Sequence, residues 1–475
     1  MSGGATGDDE GLVERVGGGP GGSEASAERI TGGGPGGGGA SAERLTGGGA
    51  TVGYEAFAER VVGSGLLSDP WLDGRPRFRA EPVWLDEGER AALYLAAERV
   101  TAAYDEACRL CDREPGLLDT FLAMTPYQKL LWETSRPLWH GIARADVFRT
   151  REGLRVCELN CDTPTGEAEA VVLGRLGLEG APGAADPNAG LGGRLCAMVE
   201  TLAGRLLGRE VPRSVGLVYP TEMSEDLALV RLYRGLFEAR GWPVTLGSPF
   251  NLRAGDDGTV RLFDEPCSIV WRHYKTDWWG ERAPVWDDAE PFADPAPLTG
   301  PLATLIGASL AGRCVVVNPF GAVLPQNKRT MALMWEHLGR FSPAAQRAIR
   351  DYIPETVRLE SLHAEQLAAE REAWVLKTDY GAEGDEVIVG RLVGDDVWRA
   401  SLAHAVPGRW VAQRHFEADE DASGAAVNYG VFVVAGEACG LYARVQRGPT
   451  DAYAESAPLL VAPSPRDAGP AAGGP

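Results

Sequence analysis

Between residues 143 and 166, ARADVFRTREGLRVCELNCDTPTG, apolar and polar side chains alternate in two runs about a short turn, the period of a half-buried β-hairpin. Gly153 supplies the left-handed position of a three-residue loop formed by Arg151, Glu152 and Gly153. In that register Asp146 opposes Glu158, and Arg144 opposes Asn160. One face carries Arg144, Asp146, Glu158, Asn160 and Asp162. The other carries Ala143, Ala145, Val147, Cys157, Leu159 and Cys161, which makes it a core face.

Helical periods surround this hairpin. Residues 86–112 place Leu93, Ala96, Ala97 and Val100 on one side of a long amphipathic helix, and 125–142 is a second helical region. A Gly/Ala/Pro linker at 179–193 precedes a helix at 194–208. SVGLVYP then reads as a buried strand, SEDLALVRLYRGLFEARGW as a helix capped by Ser224, and PVTLGS as the next strand, a rhythm that predicts a parallel sheet. SIVWRHYKTDWW is strand-like and ends in Trp271, His273, Tyr274, Lys275, Trp278 and Trp279, which suit a substrate pocket or a domain interface alike. RCVVVNPFGAVLPQNKRTMALMWEHL predicts a strand, a loop and a helix starting near Asn327 and Lys328. AWVLKTDYGAEGDEVIVG predicts strand, glycine turn, strand. WVAQRHFEA and VNYGVFVVAGEACGLYARVQ complete the region, the latter turned at Ala435 and Gly436.

Composition narrows the function classes. A net charge of −21 with no Lys/Arg-rich block excludes a binder of nucleic-acid backbones. Eight scattered cysteines, with no secretory signal or apolar run of membrane-spanning length, favour a reducing cytoplasm and no membrane partner. Cys108 and Cys111 form a lone CxxC inside a helix, which reads as packing, and His140 reads as a packed or capping residue. The repeat GGGPGGSEASAERITGGGPGGGGASAERLTGGG has too few large apolar residues to offset its ordering entropy, so residues 1–50 and 464–475 are expected to be disordered tails.

The polar hairpin face has two readings. Opposed carboxylates repel, and a Mg²⁺ ion held by Asp146, Glu158 and the Asn160 amide would relieve that repulsion, with Arg144 beside it for a phosphate or carboxylate. The other reading is a solvated face on which Arg144 pairs with the acids. Lys328 at a helix start can reach a phosphate. Lys377 lies beneath a loop containing Gly381 and Gly384, a pairing that recurs in phosphoryl transfer. Gln413 is placed to meet an adenine edge, and Arg444 is by default an exposed strand residue.

Taken in order, Arg144-x-Asp146, ELNCDTPT, LPQNKRTMALMWEH, WVLKTDYGAEG and EACGLYARV resemble the glutathionylspermidine synthase family of ATP-grasp ligases over most of residues 70–463. The resemblance implies an α/β (α+β) ATP-grasp fold with a helical region and metal-binding hairpin at 51–210, a parallel-sheet pre-ATP-grasp domain at 211–315 and a nucleotide-binding region at 316–463. It implies Mg²⁺ on Asp146, Glu158 and Asn160, ATP held by Lys328, Lys377, Gly381, Gly384 and Gln413, and catalytic roles for Arg144 and Arg444. Thr163 and Thr165 would contact the acyl substrate. The implied reaction joins a peptide-like or amino-acid carboxylate to an amine through an acyl phosphate. The glycine loop departs from the pattern, with Ala382 and Glu383 where a basic residue is expected and with Asp385 and Glu386 following. The expected Phe-Pro-His ending is absent, and only 50 low-complexity residues stand where bifunctional members carry an amidase domain. A binding or scaffold protein on the same fold is therefore a second expectation, and phosphorylation without amide formation a third.

Overall fold

The computed structural model describes residues 50–208, 210–280, 296, 298–381, 387–405 and 407–463. The two expected tails lie outside these residues except for Ala50, which opens helix α1 (Ala50–Gly63). Helix α2 (Glu87–Arg113) begins in a capping box: Asp86 accepts from the Glu89 backbone N–H at 2.7 Å, and the Glu89 carboxylate accepts from the Asp86 N–H at 2.8 Å. Its apolar stripe, with Cys108 and Cys111, is buried. All eight cysteines are free thiols.

The hairpin is present as β1 (Ile142–Thr150) and β2 (Gly153–Asn160). Asp146 faces Glu158 and Arg144 faces Asn160, as the alternation predicts, although two details differ. The turn has two residues, with Gly153 at φ 122° opening β2 opposite Thr150. A bulge between Asp146 and Val147 then shifts the register by one, so the shorter turn and the extra residue cancel. Cys157 is that extra residue. Val156, not Cys157, takes the core position opposite Val147 and is fully buried.

Helix α3 (Glu167–Leu178) follows the hairpin. Strands β3 (Val215–Val218) and β4 (Val244–Gly247) are joined through helix α4 (Leu227–Glu238). With β5 (Ile269–Arg272) and β6 (Val315–Val317) they form a parallel sheet in the order β6-β5-β3-β4, the predicted β-α-β arrangement. Ser224 does not cap α4; residues 224–226 form a 3-10 turn ahead of it, with no side-chain cap. Of the aromatic group near β5, Trp271 packs against Tyr233 and Phe237, while Tyr274 and Trp279 enter the main core.

Helix α5 (Arg329–Glu336) leads to a second four-stranded sheet. It contains β7 (Thr356–Arg358), β8 (Trp374–Thr378), β9 (Val387–Val389) and β10 (Trp410–Arg414) in the order β7-β10-β8-β9, all antiparallel. The last long hairpin is β11 (Ala426–Val434) and β12 (Glu437–Gln446), turned at Ala435 and Gly436 with φ of 51° and 88°. A short strand that the alternation did not predict, β13 (Glu455–Ala457), pairs with β12.

The fold brings hairpins distant in sequence together. β11 pairs antiparallel with β1, giving a five-stranded sheet in the order β13-β12-β11-β1-β2. One side of this sheet buries Ala143, Ala145, Val147, Val156, Leu159, Val431 and Val433 against α2 in the largest core cluster. The other side carries the polar platform, flanked by Ile142, Phe432, Val434 and Tyr442 in a second core cluster. The described residues belong to one compact unit.

Candidate active site

Asp146 is at the centre of the platform and fully buried. Its Oδ1 accepts from Arg144 Nε at 2.7 Å, and its Oδ2 accepts from Arg144 Nη2 at 3.1 Å. Arg444, on the next hairpin, donates from Nη2 to the same Oδ2 at 2.8 Å. The side chain of Arg444 is only 20% exposed, so it is not the solvent-facing strand residue of the default reading. The solvated-face reading of the hairpin falls with it, because both Arg144 and Asp146 are buried.

The strand register explains this convergence. Gly430 on β11 stands opposite Asp146, and Asn428 stands opposite Arg444. A Cβ on Gly430 would come 2.8 Å from Arg144 Cδ, so the glycine makes room for the arginine stem. A glycine inside the apolar run of VNYGVFVV is the signal that would have identified it. Arg144 Nη1 also donates to the Thr165 carbonyl at 2.8 Å, which ties the guanidinium to the loop after β2.

Glu158 carries the second carboxylate. Its Oε1 accepts from Asn160 Nδ2 at 3.2 Å, and its Oε2 lies 3.7 Å from Lys328 Nζ. Burial opposes its charge, but Lys328, Lys377 and Arg144, with the Asn160 hydrogen bond, outweigh that and hold its pKa down at about 2. Burial, with a smaller contribution from Lys377, lowers the pKa of Lys328 despite Glu158. Lys328 Nζ donates to the Gly381 carbonyl at 2.6 Å, which brings the start of the glycine loop to the platform. Gly384, with Ala382, Glu383, Asp385 and Glu386, lies outside the described residues.

Lys377 donates to Gln413 Oε1 at 2.8 Å and to the Cys157 carbonyl at 3.3 Å. The bulge therefore has a use: the extra residue turns a backbone oxygen toward this lysine. Gln413 is 2% exposed and donates to Thr356 Oγ1 at 3.0 Å, so as folded its amide positions Lys377.

Asp162 does not join the platform face that the alternation predicts for it. It lies beyond the end of β2 and faces away from the other platform residues, with its Oδ1 accepting from Arg272 Nη2 at 2.6 Å and its Oδ2 from the Thr276 N–H at 2.7 Å. Asn318 and Gln326 hold the same stretch: Asn318 Nδ2 donates to the Cys161 carbonyl at 2.8 Å, and Gln326 Oε1 accepts from the Cys161 and Asp162 N–H groups. Thr163 is half-buried and Thr165 exposed on the loop so anchored. Neither Asn318 nor Gln326 carries a sequence signal, because an uncharged amide between apolar segments follows no local period.

Next to this loop, Glu167 is fully buried at the start of α3. Its Oε1 accepts from the Tyr233 hydroxyl at 3.1 Å, and its Oε2 has no hydrogen-bond partner. Burial raises its pKa to about 7, against the pull of Arg144 and His273. His140 is packed on Trp139 with ring centroids 3.7 Å apart, and burial lowers its pKa to about 4.

The assembly thus sets four cationic side chains, Arg144, Arg444, Lys328 and Lys377, around two carboxylates. The oxygens of Asp146, Glu158 and Asn160 are of the type a hard divalent cation takes, and guanidinium and ammonium groups in such number suit phosphate oxygens. The sequence profile described as "Glutathionylspermidine synthase preATP-grasp" matches residues 122–462. The chain belongs to this family. Its match spans both platform hairpins, the parallel sheet and the β7–β10 sheet, and the fold is the α/β ATP-grasp type that the family implies.

The chain is also similar to solved structures, the first of which supports the fold. A glutathione synthetase-like effector from Globodera pallida aligns with a TM-score of 0.54 at 11% identity, covering 86% of this chain and 96% of its own. A putative γ-glutamylcysteine synthetase from Methylobacillus flagellatus aligns with a TM-score of 0.42 at 12% identity, over 74% and 84% of the two chains. No curated protein matches the sequence. The family match marks the chain as ligase-like in fold. Among the described residues no helix is long and apolar enough to cross a membrane.

Proposed function

We propose that the protein is an ATP-dependent ligase that joins a carboxylate to an amine through an acyl phosphate. The observation that carries this reading is the convergence of Arg144 and Arg444, from two separate hairpins, on buried Asp146, with Lys328, Lys377 and Glu158 alongside. Transferring a phosphoryl group to a carboxylate brings two anions together, and the barrier falls when fixed cations meet the charge on the phosphoryl oxygens.

In this reading a carboxylate oxygen of the acid substrate attacks the γ-phosphorus of ATP, and the bond to the β-phosphate oxygen breaks, releasing ADP. The amine nitrogen then attacks the acyl carbon, phosphate leaves and the nitrogen loses a proton, giving the amide. Arg144, fixed by Asp146 and the Thr165 carbonyl, holds the transferring group between the hairpin and the substrate loop. Arg444 meets the same group from β12. Lys328 and Lys377 bind the phosphates, Gly381 and Gly384 fold the loop over them, and Gln413 keeps Lys377 in place. Thr163 and Thr165 face the acid. Mg²⁺, bound by Asp146, Glu158 and Asn160, would neutralise phosphate charge. Two features support that fit: Glu158 stays ionised at any working pH, and Asn428 Oδ1 is buried without a partner opposite Arg444.

A peptide-like acid and a polyamine or amino acid are the first substrates to test, in a reducing cytoplasm. The decisive assay is ADP release from Mg-ATP with a panel of carboxylates, each with and without amines. Release that needs both partners establishes ligation. Release with a carboxylate alone supports phosphorylation without amide formation, and ATP binding with no release in any pair supports a scaffold role.

A further inference from the structure

We infer that this site accepts a divalent cation only together with a nucleotide's phosphates, and that Arg444 is the residue that enforces the order; the inference rests on the ligase reading above.

A metal ligand must offer a lone pair at close range, about 2.1 Å for Mg²⁺. Asp146 has little to spare as folded, since three of its roughly four lone-pair sites are taken. It is fully buried, and each of its oxygens already accepts a guanidinium hydrogen bond, at 2.7 Å on Oδ1 and at 3.1 and 2.8 Å on Oδ2. Glu158 is shared between Asn160 and Lys328. Among the described residues no third acidic, histidine or cysteine ligand joins them, so most of a cation's oxygens must come from elsewhere.

Charge leads to the same order. Arg144, Arg444, Lys328 and Lys377 against Asp146 and Glu158 leave the platform at a formal +2. A bare divalent ion would add to that excess, whereas the complex of a divalent ion with a fully ionised nucleoside triphosphate, at about −2, cancels it. Phosphate oxygens also give the guanidiniums an alternative partner of matching geometry, which releases Asp146.

The two arginines are not equivalent in this exchange. Arg144 is held by Asp146 through two bonds, by the Thr165 carbonyl and by the space over Gly430, and its side chain is 9% exposed. Arg444 reaches Asp146 through one hydrogen bond and is twice as exposed. Its departure frees an Oδ2 lone pair and removes one unit of the platform's positive charge.

Mn²⁺ in place of Mg²⁺ tests this directly, because free Mn²⁺ is counted by its electron paramagnetic resonance signal without any turnover. On the full chain, Mn²⁺ alone should bind at least tenfold more weakly than Mn²⁺ added with the non-hydrolysable β,γ-imido analogue of ATP. Arg444→Gln should tighten binding of Mn²⁺ alone by about tenfold, since it removes one unit charge and one competing hydrogen bond. Arg391→Gln, which removes an exposed arginine paired with Glu417, should leave it unchanged. Wild-type protein that binds Mn²⁺ equally well with and without the analogue overturns the inference, as does an Arg444→Gln protein that binds Mn²⁺ alone no better than wild type. Mn²⁺ that binds under neither condition overturns the nucleotide-and-metal reading itself, and the inference with it.

Discussion

At the level of single residues, Asp146 gives the sharpest test of the proposed ligase reading. Asp146→Asn keeps the shape of the side chain but removes the charge that two guanidiniums share, and Glu158→Gln does the same for the second carboxylate. Each should lower ligation, measured as ADP release with both substrates, by about 10²-fold or more, with a circular dichroism spectrum like that of the wild type. Unchanged turnover in both would remove the platform from the mechanism. Gly430→Ala tests the same site through space alone: its methyl would sit 2.8 Å from Arg144 Cδ and push the guanidinium off Asp146. We expect turnover to fall at least tenfold in this variant while ATP affinity changes little, because Lys328 and Lys377 are untouched. Glu167 gives a pH signature. Its folded pKa, about 7, lies above the ordinary carboxylate value of 4.5, so the folded state binds its proton more tightly. That contribution is complete below about pH 4.5 and is lost as pH rises through 7, at a cost of at most about 3 kcal/mol. Glu167→Gln should flatten this slope in denaturant midpoints measured from pH 4.5 to 8. A wild-type slope retained by the variant would assign the titration to another group.

For the elements, the hairpin's position depends on Asn318. Its amide accepts from the Gly141 and Ile142 N–H groups at 2.8 and 3.0 Å and donates to the Ile142 and Cys161 carbonyls, both at 2.8 Å, so one side chain joins the start of β1 to the end of β2. Asn318→Ala leaves these buried groups unpaired, at roughly 1–3 kcal/mol for each that finds no new partner. A loss of about 3 kcal/mol in urea unfolding is the expected outcome, and a loss below about 0.5 kcal/mol would show that the link is dispensable. The elements also show where alternation reads well and where it fails. Facing pairs Arg144–Asn160 and Asp146–Glu158 follow from a period of two, since shifting a strand by one residue would bury the charges in the core. The turn length and the bulge do not follow, because a three-residue turn and a two-residue turn with a bulge give the same pairs at the platform end. Asp162 was misplaced for a related reason: extending the period past Asn160 assumes the strand continues, whereas Arg272 and Thr276 draw the chain away.

Across the whole molecule, a cationic platform is embedded in a chain of net charge −21. The long-range field opposes an anionic nucleotide and attracts a polycation, and salt weakens both effects within a Debye length of about 8 Å at physiological ionic strength. Spermidine affinity, measured by calorimetry, should therefore fall severalfold between about 20 and 200 mM salt. A salt-independent affinity would mean that only local contacts hold the amine. The sequence by itself determined the hairpin and its two faces, the β-α-β order of the parallel sheet, the long amphipathic helix and the residue types of the site. Each of these depends on local periods and on chemistry carried by neighbouring residues. Only the tertiary structure decided that β11 lies against β1, that Arg444 leaves solvent for Asp146, that Gln413 and the Cys157 carbonyl hold Lys377, and that Gly430, Asn318 and Gln326 shape the platform. Those contacts join residues as far as 298 positions apart, and no local period records which distant strand a given face will meet.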